Sequence, residues 1–188
     1  MAQKQAETRL TRSVVERACR PFVWLRTVAD EPYPALLESS LLRRGLGRYS
    51  LLCWNPFKKV VVGPEFTEVE NLRVGQKDRL RGDPFRIMSD QFREHRFEAC
   101  AAPDLPFVGG AVGYFSYDLR HRVERLPREC EYDVDVPYAV LCFYDHALVF
   151  DHDRQVTEWV TLTGCPHDPP EPREAEGILM ATAEERLG

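Results

Sequence analysis

The side chains best suited to binding chemistry lie in two short stretches, Glu38-Ser39 and Arg48-Tyr49-Ser50, on either side of a loop. A carboxylate such as that of Glu38 accepts hydrogen bonds from an ammonium group, and the guanidinium of Arg48 can hold a carboxylate. Two hydroxyls and an aromatic ring complete a set that suits a small zwitterionic molecule. The alternative is a cross-strand ion pair between Glu38 and Arg48 on a solvated face, which the residue types alone favour.

Short β-type segments must position these residues. Each segment is rich in apolar, β-branched or aromatic residues and is bounded by proline, glycine, asparagine or aspartate. Gly63-Pro64 and the turn at 151–154 each join two of them into a hairpin. The predicted strands are Phe22–Leu25, Ala35–Ser39, Arg48–Trp54, Lys59–Val62, Phe66–Val74, Phe107–Tyr117, Tyr138–Tyr144, Ala147–Phe150 and Val156–Leu162.

A helix is predicted from Asp83-Pro84 to about Phe97. Aspartate can cap the free amide groups, and proline suits the first helical position because no N–H is needed there. Met88, flanked by phenylalanines at helical spacing, marks one apolar stripe. Glycines inside the strand over residues 107–117 indicate a bulge or a close approach by another backbone.

Many strands, with few helices that do not alternate with them, favour an α+β fold of mostly antiparallel, sandwich-like sheets with two or three flanking helices. A polar segment over residues 1–20, frayed or forming a short helix, precedes a domain over residues 21–163. Residues 164–173 form a proline-rich linker. Residues 174–188 predict an amphipathic helix that leads toward a further domain.

Composition and charge exclude several classes of function. The net charge of -5 is spread without a basic stripe, which argues against nucleic acid as a partner. The apolar stretches are too short to cross a bilayer, and the N-terminus lacks the apolar core of a signal peptide, so a cytoplasmic location is expected. The six cysteines form no Cys-x-x-Cys pair and show no ligand spacing with histidine. We therefore expect reduced thiols and no zinc site.

Two motifs carry a family resemblance. The first runs from Leu36 to Ser39 and continues at Gly47–Leu52 and Asn55-Pro56. The second, longer motif is Pro106–Leu119, followed by residues 124–127. Together with the later stretch over residues 143–152, their order and spacing resemble the N-terminal domain of component I of anthranilate synthase and aminodeoxychorismate synthase. The resemblance covers roughly residues 20 to 162.

This resemblance implies that Glu38, Ser39, Arg48, Tyr49 and Ser50 line a pocket for tryptophan or a similar ligand. It also implies chorismate chemistry for the parent protein, with magnesium bound in a C-terminal catalytic domain. A glutamine amidotransferase, component II, would deliver ammonia. The signature segments of the catalytic domain are not found in the 188 residues, so no cofactor and no catalytic residue is expected on this chain itself.

Several functions stay open at this point. The form of the second motif, Ser116–Leu119 followed by Glu124–Pro127, favours aminodeoxychorismate synthase, on the path to p-aminobenzoate and folate. The alternative is anthranilate synthase, with tryptophan as a feedback inhibitor. A further alternative is one half of a split synthase that is active only with a separate catalytic subunit, and another is a free-standing small-molecule sensor.

Overall fold

Two five-stranded β-sheets form the framework of the described part of the protein. The computed structural model describes residues 9–15, 20–41, 46–95, 102–124, 127 and 134–163. In these residues the helices are α1 (Pro21–Thr27), α2 (Pro84–Glu94) and a 3-10 helix over Tyr117–Arg122. The strands are β1 (Arg9–Val14), β2 (Ala35–Leu37), β3 (Tyr49–Cys53), β4 (Lys58–Val62), β5 (Thr67–Asn71), β6 (Gln76–Leu80), β7 (Gly110–Phe115), β8 (Ala139–Tyr144), β9 (His146–Asp151) and β10 (Val156–Thr163).

The first sheet has the strand order β1-β10-β9-β3-β2, and all of its pairs are antiparallel. It belongs to a compact unit made of Met1–Pro56, Phe97–Gly110 and Tyr144–Gly188. Trp24 and Trp159 are among the largest fully buried side chains of this unit. Its apolar core consists of Trp24, Val28, Leu52, Trp54, Leu148, Phe150 and Trp159.

A buried polar pair lies at the turn from β8 to β9. Asp145 and His146 are fully shielded from solvent, and Asp145 Oδ1 lies 2.9 Å from His146 Nδ1. The imidazole packs against the rings of Trp54 and Trp159, at 5.1 Å between centroids in each case. Because a buried carboxylate needs hydrogen-bond partners, this contact fixes the entry into β9.

The second sheet has the order β6-β5-β4-β8-β7 and belongs to a unit made of Phe57–Arg96 and Ala111–Phe143. A Cβ at Gly113 would overlap the carbonyl oxygen of Val140 and lie 2.8 Å from its carbonyl carbon. The close backbone approach predicted for this glycine-rich strand is therefore confirmed at Gly113. Met88 of α2 belongs to the apolar core of this unit.

The predicted α+β class is confirmed, with antiparallel sheets and three helices in the part of the chain that the structure describes. The hairpin at Gly63-Pro64 joins β4 to β5, and Gly63 N–H donates to the carbonyl of Phe66 at 3.0 Å. At the start of α2, the carboxylate of Asp83 accepts from Phe85 N–H at 3.0 Å, as the cap prediction requires. The linker and the last helix, residues 164–173 and 174–188, lie outside the described residues.

Three local predictions are wrong. Phe22–Leu25 lies in helix α1, because Pro21 occupies its first turn and Trp24 and Val28 recur at helical spacing on the buried side. A run of four apolar residues does not by itself distinguish a strand from a helix. In the N-terminal segment, the described residues Arg9–Val14 form β1 along β10 and not a helix.

Strand β6 is the third miss, since four of its five residues are polar, all five are exposed, and they show no apolar alternation. Pairing with β5 creates this strand: Glu68 forms ion pairs with Lys77 and Arg79 across the two strands.

The core of the first unit gives a stability prediction. Leu52 is fully buried in β3, whereas Leu46 is 70% exposed. We expect Leu52→Ala to lower the free energy of unfolding by about 2–5 kcal/mol, because the truncation leaves a cavity in a packed core. Urea unfolding followed by circular dichroism measures this change. Leu46→Ala is the matched control and should change stability by less than about 0.5 kcal/mol. Equal effects of the two substitutions would contradict this assignment of the core.

Candidate functional site

The two halves of the first sequence motif meet at the pairing of β2 with β3. Ser39 follows β2, and its backbone N–H donates to Ser50 Oγ in β3 at 3.0 Å. The Ser39 hydroxyl in turn donates to the carbonyl of Tyr49 at 2.7 Å. The loop between them turns tightly at Gly47, where φ is +70° and a Cβ would overlap the carbonyl oxygen of Leu41. The structure therefore brings Ser39 and Ser50 together.

A cavity of about 590 Å³ lies beside these residues in the first unit. Three segments of the chain build it: the start of α1, the loop after β2, and the turn from β9 to β10 with the adjoining ends of both strands. Its lining residues are Arg20, Pro21, Glu38, Ser39, Ser40, Phe150, Asp151, His152, Gln155, Val156 and Thr157. Eight of these eleven residues are polar or charged, and Pro21, Phe150 and Val156 supply the apolar surface.

Arg48 forms an ion pair with Asp151. Its Nε lies 3.1 Å from Asp151 Oδ1, and its Nη2 lies 2.6 Å from Oδ2. The guanidinium also stacks on the ring of Tyr49, with 4.6 Å from Cζ to the ring centroid. The alternative of a pair between Glu38 and Arg48 is therefore wrong for this structure. Because Asp151 already neutralises Arg48, this arginine offers no uncompensated charge to a ligand.

The environment of Asp151 stabilises its charged form. The side-chain hydrogen bond from Arg48 is the main cause that holds the pKa of this carboxyl below its usual value. Burial opposes this shift, and backbone N–H groups of Asp153 and Arg154, each 3.1 Å from Oδ1, add to it. The same contact raises the pKa of Arg48. Asp151 thus anchors the turn that forms one wall of the cavity.

The five predicted residues occupy different places. Glu38 and Ser39 line the cavity, and Ser50 lies behind Ser39 with its side chain shielded from solvent. Arg48 and Tyr49 are not among the lining residues; the Tyr49 hydroxyl donates to the carbonyl of Asp104 at 2.8 Å. Their role toward a ligand stays a prediction.

Sequence reasoning did not select Arg20, Asp151 or His152 as site residues, although all three line the cavity. The Asp151-His152 dipeptide closes the third stretch of the family resemblance, so a signal was present. No signal marks Arg20, because the apolar run Phe22–Leu25 that follows it is typical of a strand. His152 Nε2 lies 2.7 Å from Ser50 Oγ, which links it to the predicted set.

The histidine, cysteine and acidic side chains of the described residues are the groups that metal or thiol chemistry would use. No three histidine, cysteine, aspartate or glutamate side chains of that part of the chain are grouped so that they could hold a metal ion. Cys53 is buried in β3, and burial raises the pKa of its thiol to about 12. A thiol with such a pKa stays protonated and unreactive at neutral pH. None of the helices among the described residues is long and apolar enough to span a membrane.

The ion pair at the cavity wall gives a pH prediction. We expect Asp151→Asn to lower the urea midpoint at pH 7, because the contact with Arg48 loses its charge. The pKa of Asp151 in the folded protein lies below the unfolded value of about 3.9. Its contribution to the free energy of unfolding is therefore fully present at pH values above this unfolded pKa. It is lost as the pH falls through the folded pKa. The difference between variant and wild type should therefore shrink below about pH 4.

Asp153→Asn is the matched control for this experiment. Asp153 lies in the same turn, is 66% exposed and approaches Arg48 Nε only to 3.9 Å. Its substitution should leave the midpoint nearly unchanged. A pH-independent difference for Asp151→Asn would contradict the charge-based account.

Known proteins resemble this chain in sequence. It is 32% identical to aminodeoxychorismate synthase component 1 of Salmonella typhimurium over 130 residues, which are 69% of this chain and 28% of that protein. It is 30% identical to the protein of the same name from Klebsiella aerogenes, over 68% of this chain and 28% of the relative. It is 37% identical to anthranilate synthase component 1 of Acetivibrio thermocellus, over 64% and 24% respectively. No family model matches the chain.

Among solved structures, anthranilate synthase component I from Streptococcus pneumoniae TIGR4 has a similar fold. The TM-score is 0.55 at 21% identity, over 79% of this chain and 31% of that chain. The chain thus spans about a quarter to a third of the length of the proteins it matches. From these similarities and the two motifs, the chain belongs to the aminodeoxychorismate and anthranilate synthase component I family and corresponds to its N-terminal domain.

Proposed function

We propose that this chain is the non-catalytic scaffold and ligand-binding domain of a chorismate-utilising synthase, and that its cavity takes a tryptophan-type amino acid. The observation that carries the proposal is the position of Glu38 and Ser39 on the wall of the cavity. These are two of the five residues to which the family resemblance assigns the ligand.

The charges of the cavity suit a zwitterion. Glu38 is exposed, and its carboxylate has no hydrogen-bond or ion-pair partner within the described residues, so it can accept from an α-ammonium group. Arg20 supplies a positive charge to the same cavity. Pro21, Phe150 and Val156 add apolar surface for an aromatic side chain. An amino acid with a large apolar side chain matches all three features.

The branch of the pathway is a finer part of the proposal. We favour aminodeoxychorismate synthase, on the form of the motif over Ser116–Leu119 and residues 124–127. The alternative, anthranilate synthase with tryptophan as feedback inhibitor, is supported by the 37% identity to the protein from Acetivibrio thermocellus.

The partners belong to the same proposal. The relatives are named as components of synthases, which suggests partner domains or subunits. We propose a C-terminal chorismate-binding domain, which would hold magnesium, and a glutamine amidotransferase component II. The expected cytoplasmic location is part of this proposal as well.

Calorimetric titration tests the ligand. We expect L-tryptophan to bind saturably and more tightly than L-phenylalanine. Glu38→Gln should weaken binding of L-tryptophan about tenfold, because it removes a charged hydrogen bond to the ammonium group. Tryptamine keeps the ammonium group, so Glu38→Gln should weaken its binding by the same factor as that of L-tryptophan.

Glu65→Gln provides the control, since Glu65 is exposed and belongs to the second unit. It should bind as the wild type does. Saturable binding that Glu38→Gln leaves unchanged would contradict the assigned role of Glu38. If L-tryptophan does not bind to the wild type, the proposal of a tryptophan-type ligand is wrong.

A chorismate assay separates the scaffold from the enzyme. We expect the chain by itself to convert no chorismate with ammonia and magnesium present, because the catalytic signatures are not in its sequence. Turnover only after a separate catalytic subunit is added would support the split synthase. Turnover by the chain alone would contradict a non-catalytic domain. If neither turnover nor an effect on such a subunit is seen while a ligand binds, the free-standing sensor is favoured.

A further inference from the structure

His152 faces the candidate cavity and is held from behind by Ser50. The two residues lie 102 positions apart in the sequence, and Nε2 of the imidazole is 2.7 Å from the Ser50 hydroxyl oxygen. The backbone on both sides is also fixed: His152 N–H donates to the carbonyl of Arg48 at 2.8 Å, and the Gln155 side chain donates to the carbonyl of His152 at 2.7 Å. The ring therefore has a defined orientation against β3.

The hydrogen bonds of Ser50 determine which nitrogen of His152 carries the proton. Ser50 Oγ accepts the backbone N–H of Ser39 at 3.0 Å, so its own proton needs a different partner. Ser50 is fully buried, and the acceptor within reach in the described residues is His152 Nε2. If Nε2 carried a proton instead, the hydroxyl would be left as a buried donor without an acceptor, which is unfavourable.

It follows that a neutral His152 has its proton on Nδ1. The hydrogen bond of one ring nitrogen sets the state of the other, and here the bonded nitrogen is an acceptor. Nδ1 makes no hydrogen bond to the described part of the protein, and the residue lines the cavity. The imidazole thus offers a donor to whatever occupies the cavity.

The other polar groups of the site sharpen this assignment. The Ser39 hydroxyl proton is used by the carbonyl of Tyr49, and Arg48 is neutralised by Asp151. Of the charged groups in the lining, Glu38 and Asp151 are acceptors, and Arg20 lies at the start of α1. A ligand carboxylate therefore finds nitrogen donors in His152 and Arg20 and not in Arg48; the neutral side chains of Ser40, Gln155 and Thr157 also line the cavity.

We propose that His152 is a ligand-binding residue whose Nδ1–H donates to the carboxylate of the bound molecule, and that Ser50 is the positioning residue that holds this tautomer. The ligand class is a small carboxylic acid, of which an amino acid is one case. The proposal rests on the proposed function of the cavity. It adds the imidazole of His152 as a binding group and gives the buried Ser50 a positioning role.

The tautomer can be tested without any ligand. Long-range proton–nitrogen spectra of the 15N-labelled protein, recorded at alkaline pH where free imidazole is neutral, distinguish Nδ1–H from Nε2–H rings. The signal of His152 is assigned by its loss in His152→Asn. We expect the Nδ1–H form in the wild type and a shift toward Nε2–H in Ser50→Ala. An Nε2–H ring in the wild type, or no change in Ser50→Ala, would overturn the positioning role.

Ser40→Ala is the matched control, because Ser40 lines the same cavity but does not contact the imidazole. This variant also loses a serine hydroxyl, but the tautomer of His152 should stay as in the wild type. Ser50 is buried, so circular dichroism must first establish that Ser50→Ala is folded. If Ser50→Ala is not folded, the wild-type spectrum still decides the proposal, because an Nε2–H ring there overturns it.

The carboxylate contact is tested with two probes that each keep one end of tryptophan. Indole-3-propionate has the carboxylate and lacks the ammonium group, whereas tryptamine has the reverse. We expect His152→Ala to weaken binding of indole-3-propionate about tenfold or more, and to change tryptamine binding less than about twofold. His152→Asn, whose amide can donate from a similar position, should recover part of the affinity.

The outcomes separate the two proposals. If L-tryptophan binds and His152→Ala weakens both probes equally, the carboxylate contact is wrong while the cavity remains a ligand site. If Arg20→Gln, and not His152→Ala, removes the binding of indole-3-propionate, the carboxylate lies at Arg20 and the assignment to His152 is overturned. If the wild type binds no probe, the proposed function fails together with the carboxylate contact. The tautomer is then still decided by the spectra.

Discussion

The antiparallel pairing of β3 with β9 is the constraint on which the site depends. It places Tyr49 opposite Asp151 and Ser50 opposite Phe150, and the hydrogen bond from His152 N–H to the Arg48 carbonyl continues the ladder by one step. The ion pair of Arg48 with Asp151 and the contact of Ser50 with His152 are therefore both consequences of one register. Because a shift by one residue would turn every side chain of β3 to the opposite face, neither contact would survive it.

The same register divides the polar groups into structural and available ones. The guanidinium of Arg48 and the hydroxyls of Ser39 and Ser50 are used inside the protein. A buried polar group must be paired in this way, so the cavity wall keeps few groups for a ligand. The groups that remain in the described lining include a carboxylate at Glu38, a guanidinium at Arg20 and the imidazole of His152. A set of one acceptor and two donors suits a molecule that carries both charges.

The family relationship and the geometry support each other at different levels. Relatives from both branches share about a third of their residues with this chain over the matched region. This similarity supports the fold and the family, while the pocket chemistry comes from the residues themselves. Both the family relationship and the geometry point to Glu38-Ser39, because this pair belongs to the family motif and lies on a cavity wall.

The sequence by itself determined the α+β class, most strands, the start of α2 and the family. These follow from local patterns: alternation of apolar residues, turn residues at strand ends, and Asp83-Pro84 as a helix start. It also pointed to Glu38, Ser39 and Ser50, because they stand in a recognisable motif. It failed for Phe22–Leu25, where a short apolar run fits either element, and for β6, whose polar residues gain strand structure only from pairing with β5.

Only the tertiary structure decided the partners of these residues. No local pattern shows that Arg48 pairs with Asp151 instead of Glu38, or that Ser50 meets His152, because these contacts join segments more than a hundred positions apart. Strand register across a sheet depends on the packing of the whole core, which a single chain segment does not encode. The sequence thus selected the chemical groups, and the fold determined which of them stay available to a ligand.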